Sequence, residues 1–183
     1  KYAKFKLSDE TVILCDEMPS ATYEKLGVQS IPGETIDVSQ LLKLKLKHPF
    51  LDREVPILAA DFVASDTGTG CVHCAPGHGQ DDYNLAKHLG LLSPVDDQGR
   101  FTVECGVKEW VGQYVFDANK DVIALLRAKG RLVAEETIRH SYPHCWRSKT
   151  PIIFRAVEQW FVKVDAIKSQ ALDAIDHVNW IPA

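Results

Sequence analysis

The chain has 183 residues, of which 45% are hydrophobic and 25% are charged, a composition that excludes disordered, collagen-like and low-complexity proteins. Its unbroken apolar runs are only a few residues long, whereas a membrane-spanning helix needs about 20, so we expect no membrane partner. The net charge is −4, so the chain lacks the overall basic excess that is typical of nucleic-acid-binding domains.

The first elements in the chain are predicted to be a hairpin and a helix. Alternating residues at 2–7 and a β-branched run at 11–15 predict two strands joined by a turn at residues 8–10. Pro19 and Gly27 bracket a predicted helix over residues 20–26, because proline favours helix starts and glycine favours helix ends.

The later elements follow from periodicity and from turn residues. Leucine and lysine alternate strictly over residues 42–47, which predicts a half-buried strand with its lysines in water. The other predicted elements are strands at 55–60 and 71–74, a turn at 66–70, helices at 81–89, 117–129 and 165–175, and strand-like segments at 131–140, 152–156 and 159–164. Strands outnumber helices without regular alternation, so we expect a mixed, β-rich α/β fold, barrel-like rather than doubly wound.

The cysteines and the N-terminus indicate where the protein acts. Five cysteines at irregular spacings argue against a disulfide framework and favour free thiols in a reducing compartment. The sequence starts at Lys1 and shows no secretory signal. We therefore expect a cytoplasmic protein, and we interpret residues 1–183 as a single domain excised from a longer chain.

The densest chemical segment is GTGCVHCAPGHGQDDY, residues 68–83, which holds two histidines, two cysteines, two aspartates and four glycines. Glycines allow a backbone to approach a ligand closely. The two aspartates fall at the predicted start of a helix, where Asp81 is expected to cap the helix and Asp82 to contact a ligand. This segment is therefore the predicted binding pocket.

Three kinds of chemistry are open to this segment. A zinc site would use Cys71, His73, Cys74 and His78, but neighbouring strand residues point to opposite faces, so we expect no metal. A thiolate nucleophile would use Cys74 with His78. Hydrolysis by a positioned water needs only a carboxylate for an ammonium group and donors around the scissile ester, all of which the segment supplies.

A second segment differs in charge from the rest of the chain. Residues 137–157 contain four cations and no carboxylate, interleaved with tyrosine, tryptophan and phenylalanine. Such a stretch could contact phosphates or bases. It could equally be an interdomain ribbon whose arginines pair within a parent protein.

The segment at 68–83 closely resembles the signature of the editing domain, connective peptide 1, of isoleucyl-tRNA synthetases. HSYPHCWRSKTPIIFRAVEQWFV, residues 140–162, resembles the segment by which that insertion returns to the catalytic domain, so residues 140–183 are interpreted as the return segment. HPFLDREVPIL, residues 48–58, is more weakly similar, and the resemblance covers nearly the whole chain.

This resemblance implies hydrolysis of valine wrongly esterified to isoleucine tRNA, and of valyl-adenylate as a second substrate. A synthetic site rejects valine poorly because one methylene is worth only about 1–3 kcal/mol, and isoleucine against valine is itself the standard example of that limit. The implied partners are the tRNA(Ile) acceptor end, its valine moiety and the catalytic domain of the same polypeptide. The alternative is a structural or tRNA-positioning insertion without hydrolytic activity in isolation.

The resemblance also implies roles for individual residues. Asp82 matches the carboxylate that holds the α-ammonium group, and His73 matches the histidine that shapes the pocket against larger side chains. The remaining substrate-binding candidates are Gly77, His78, Gly79 and Asp81. No cofactor is implied for this domain, since ATP and magnesium serve the parent enzyme elsewhere. The family's threonine-rich segment lies upstream of the position matching Lys1, so we expect part of the pocket to come from outside these residues.

Overall fold

The architecture was obtained as a computed structural model, which describes residues 1–28, 32–65 and 68–181. The strands are β1 (Tyr2–Leu7), β2 (Glu10–Cys15), β3 (Thr35–Ile36), β4 (Lys45–Lys47) and β5 (Glu54–Pro56). The α-helices are α1 (Ser20–Leu26), α2 (Val38–Leu41), α3 (Gln80–Ala86), α4 (Asn119–Ala128) and α5 (Lys168–Asp176). Short 3₁₀ turns occur at Lys87–Leu89, Val103–Cys105, Lys108–Trp110 and Val164–Ala166.

The N-terminal hairpin builds the main core. Strand β1 pairs antiparallel with β2 on one side and with β3 on the other. Its alternation buries Ala3 and Phe5 while Lys4 and Lys6 face water, and the Phe5 ring contacts Tyr23 of α1 at 5.4 Å between centroids. The predicted hairpin and the predicted helix over Ser20–Leu26 are confirmed, and Gly27 ends that helix at φ 66°.

The expected barrel is not confirmed. Across the described ranges the strands form two separate antiparallel sheets, one of three strands and one of two, and no closed barrel. Closure requires every strand to be hydrogen-bonded to a neighbour on both sides. The strand-like segments predicted at 131–140, 152–156 and 159–164 form no strand in the structure, and Val164 belongs to a 3₁₀ turn. The mixed α/β class is confirmed.

The sequence prediction was wrong for parts of the middle of the chain. Only Lys45–Lys47 of the predicted strand at 42–47 pairs, with β5, and Leu42 instead ends the short helix α2. The leucines of that segment are about half exposed among the described residues. Residues 71–74 form no strand, and the strand predicted at 55–60 is limited to Glu54–Pro56.

The helix and turn predictions further along the chain agree more closely with the structure. Helix α3 begins at Gln80 and continues as a 3₁₀ turn to Gly90, and α4 is followed by Gly130 at φ 63°. The last predicted helix is a 3₁₀ turn followed by α5. Of the predicted turn at 66–70, residues 66 and 67 lie outside the described residues. In the described ranges no helix is long and apolar enough to span a membrane.

Candidate functional site

The glycine-rich segment is fastened at its start to the main core. The amide of Cys15 donates to the carbonyl of Thr69 at 3.0 Å, and the Tyr2 hydroxyl donates to the carbonyl of Gly70 at 2.6 Å. Gly70 has φ 72°, and a β-carbon there would lie 2.5 Å from Cβ of Cys15. Glycine is therefore required where the segment crosses the end of β2.

Asp82 lies in the first turn of α3 and holds the loop before it. Its Oδ2 accepts a hydrogen bond from the amide of Ala75 at 2.9 Å, and Gly79 is packed so closely that an added β-carbon would lie 3.0 Å from the same oxygen. Burial raises the pKa of the neighbouring Cys74 thiol, and the Asp82 carboxylate raises it further. Cys74 is therefore held as a neutral thiol, which argues against a thiolate nucleophile.

The expected capping role of Asp81 is wrong. Gly79 occupies the cap position of α3, and no side chain caps the helix there. Helix α3 starts one residue earlier than predicted, so Asp81 lies inside its first turn. Its exposed side chain instead lines an open cleft of about 290 Å³, between α3 and a preceding loop that contributes Asp61 and Phe62.

The turn at residues 77–79 is fixed by the return segment. The carbonyl of Gly77 accepts from the amide of Ala156 at 2.7 Å, and Nδ1 of His78 lies 2.9 Å from the carbonyl of Phe154. A carbonyl only accepts, so Nδ1 of His78 carries the proton and Nε2 is an acceptor in the neutral ring. Among the described residues, this buried Nε2 has no hydrogen-bond partner.

The six predicted site residues therefore lie in several different local environments. Asp82 and Gly79 are in contact with each other, Gly77 and His78 meet the return segment, and Asp81 faces the cleft. The side chain of His73 is exposed. It is near enough to His48 for its charge to help lower the pKa of His48. The structure does not gather all six around one cavity. In the described part of the chain no group of three metal-ligating side chains comes together.

His48 is the residue near the site that the sequence analysis did not single out, although it opens the HPFLDREVPIL segment. Its Nδ1 accepts from the amides of Leu51 at 3.0 Å and Phe50 at 3.3 Å, and its ring meets Phe50 edge-on at 4.6 Å. Partial burial lowers the pKa of His48, and the charges of Arg53 and His73 lower it further. A neutral His48 ring thus supports the turn that faces His73.

This arrangement predicts a pH-dependent turn. Because the folded pKa of His48 is below the usual value of about 6.5, its contribution to folding is complete above that pH and is lost as the pH falls. The protection factors of the Phe50 and Leu51 amides, which are corrected for the intrinsic slowing of exchange at lower pH, should fall between pH 7.5 and 5. His48→Asn, whose Oδ1 can replace Nδ1 without titrating, should remove this fall. An equal fall in that variant would contradict the assignment.

Comparisons with known proteins confirm the resemblance that the motifs predicted. The family model described as leucyl-tRNA synthetase, editing domain, matches residues 38–96. The chain is 44% identical over its whole length to 20% of the isoleucine–tRNA ligase of Kosmotoga olearia. It is 52% identical, over 85% of its length, to 18% of the ligase of Methylacidiphilum infernorum, and 41% identical over its whole length to that of Moorella thermoacetica. The chain thus spans about a fifth of the length of these relatives.

Proposed function

Because the chain is similar over its whole length to one fifth of isoleucine–tRNA ligases, we propose that it is the editing domain of such an enzyme and hydrolyses valine esterified to tRNA(Ile). The supporting observation is Asp82, a half-buried carboxylate fixed by Ala75 in the glycine-rich loop. One of its oxygens holds the loop, and the other is the proposed acceptor for the α-ammonium group of the amino acid. This single ionic contact would orient the ester against the loop.

The proposed reaction is a direct attack by water. Water adds to the ester carbonyl, the tetrahedral intermediate collapses, and the terminal ribose hydroxyl leaves with a proton while valine is released. The step needs no metal or redox cofactor, and the protonated Cys74 thiol is not needed as a nucleophile. Asp82 then acts by orientation, which makes the attack effectively intramolecular. Valyl-adenylate would be hydrolysed by the same attack on a mixed anhydride.

The pocket is proposed to exclude isoleucine through His73. Replacing His73 with alanine removes the imidazole ring and leaves space for the extra methylene of isoleucine. Since one methylene is worth about 1–3 kcal/mol, we expect release of isoleucine from Ile-tRNA(Ile) to rise at least about 10-fold, while valine release persists. The measurement is initial deacylation rate on both charged tRNAs.

Val72→Ala is the matched control, because Val72 precedes His73 and is also exposed. This variant should keep the selectivity of the original chain. If His73→Ala still rejected Ile-tRNA(Ile) as strongly as the original chain, His73 would have no part in excluding the larger side chain.

The catalytic domain of the same polypeptide is the proposed partner for residues 160–162 of the return segment. Trp160 is fully exposed, and Phe161 and Val162 beside it are also exposed. Contiguous exposed apolar residues of this size mark interaction surfaces. The relatives are about five times longer than this chain, which leaves a large part of the enzyme to cover them.

A further inference from the structure

The return segment contains a small hairpin that presents a tryptophan and two cations at its tip. His144 forms an antiparallel bridge with Pro151, the amide of Cys145 donates to Thr150 at 2.9 Å, and the amide of Lys149 donates back to Cys145 at 2.9 Å. These bonds close the hairpin. Residues 146–149 are therefore held at a defined position.

Trp146 at this tip is arranged as a stacking surface. Its side chain is 76% exposed, and the guanidinium carbon of Arg147 lies 4.9 Å from the centre of its ring. A cation at that distance attracts the ring face and holds the ring in place. An exposed tryptophan that is fixed in this way offers an aromatic face at little cost in side-chain entropy.

A ladder of rings leads away from the tip. His140, Tyr142 and His144 alternate along the chain, with ring centres 6.0 and 6.3 Å apart. Phe116 supports Tyr142 from behind at 5.9 Å, and the Tyr142 hydroxyl donates to the carbonyl of Ile152 at 3.0 Å. These three rings meet edge-on, and together they form an aromatic track rather than separate exposed residues.

The charge along this track is positive. Residues 137–157 contain no carboxylate in a chain whose net charge is −4. Arg155 is paired with Asp97, whereas Arg139, Arg147 and Lys149 have no carboxylate within 4 Å among the described residues. Three cations therefore remain to meet an anionic partner.

We propose that the track formed by His140, Tyr142, His144, Trp146 and Arg147 binds single-stranded RNA. Stacked bases would occupy the ring faces, and phosphates would meet Arg139, Arg147 and Lys149, which is the combination that single-strand-binding proteins use. A purely apolar partner would gain nothing from the cations. The identification of this strand as the unpaired end of a tRNA rests on the proposed function. The proposed binding of single-stranded RNA does not depend on it.

The test is fluorescence anisotropy of a labelled single-stranded oligoribonucleotide titrated with the 183-residue chain at several salt concentrations. Trp146→Ala should weaken binding by about 5- to 100-fold, as expected for loss of one stacked base. Trp146→Phe should retain most of the affinity. Arg147→Gln with Lys149→Gln should flatten the dependence of log affinity on log salt by about 1.4, or about 0.7 for each lost phosphate contact.

The control is Trp160→Ala, because Trp160 is also exposed but lies outside the cationic track. This variant should bind as the original chain does. Equal weakening by Trp160→Ala, no binding by the original chain, or self-association that depends on Trp146 without RNA binding would each overturn the proposal. Asp82→Ala should bind RNA normally, so a failure of the hydrolytic proposal is distinguishable from a failure of this one.

Discussion

Replacing Asp82 with alanine should reduce the release of valine from Val-tRNA(Ile) by at least about 100-fold. The α-ammonium group would lose its only proposed anionic partner, and removing one member of a close charged pair costs about 2–5 kcal/mol. The amide of Ala75 would lose its acceptor as well, so the loop before α3 would be less well held. The measurement is the single-turnover rate of deacylation with saturating protein.

Two further substitutions separate charge from structure. Asp82→Asn keeps an oxygen for the Ala75 amide but removes the negative charge, so it should keep the thermal stability of the original chain and still lose most activity. Cys74→Ala changes the neighbour whose thiol is neutral, and it should remain active within a few-fold. Full activity of Asp82→Asn would show that the carboxylate charge does not hold the substrate.

Replacing Gly77 with alanine should destabilise the chain by about 3 kcal/mol. An added β-carbon would lie 2.3 Å from the carbonyl oxygen of Leu92 and 3.1 Å from its carbonyl carbon. Both atoms belong to the backbone, which cannot rotate aside, and overpacking of this kind costs about 1–3 kcal/mol or more. The melting temperature should fall by about 6–12 °C for a chain of this size, and the hydrogen bond from Ala156 to Gly77 should be disturbed.

Gly79→Ala is the matched control for this clash. Its added β-carbon would meet the carboxylate end of Asp82 at 3.0 Å, and that side chain can rotate away. We therefore expect a small change in melting temperature but a clear loss of hydrolysis, because Asp82 would be displaced. A melting temperature for Gly77→Ala equal to that of the original chain would contradict the tight packing of this turn on Leu92.

The elements that the sequence predicted correctly are those determined by neighbouring residues. The hairpin of β1 and β2 depends on local periodicity. The helix ended by Gly27 and the helix followed by Gly130 depend on local periodicity and on a glycine at positive φ. The barrel depended on pairing between distant segments, which a local pattern does not contain. The same limit applies to residues 42–47, whose alternation was clear but whose leucines are about half exposed in the structure.

The sequence identified the segment that holds the predicted site, but it did not predict the surroundings of that segment. Family resemblance marked residues 68–83, and the assignment of Asp82 and His73 remains a prediction. The hydrogen bond between His78 and Phe154 joins residues 76 positions apart, and His48 approaches from a separate hairpin. Such contacts follow only from the three-dimensional path of the return segment. The prediction that Asp81 caps helix α3 was wrong because the helix begins one residue earlier than expected.

The most direct test replaces the matching fifth of the Kosmotoga olearia ligase, which aligns with this chain over its whole length, by residues 1–183. That context supplies the residues on either side of the matched fifth. The measured quantities are the rates at which the hybrid enzyme releases amino acid from Val-tRNA(Ile) and Ile-tRNA(Ile). We predict rapid release of valine alone, abolished by Asp82→Ala. Equal stability of both charged tRNAs, with intact aminoacylation, would contradict a hydrolytic role for this chain.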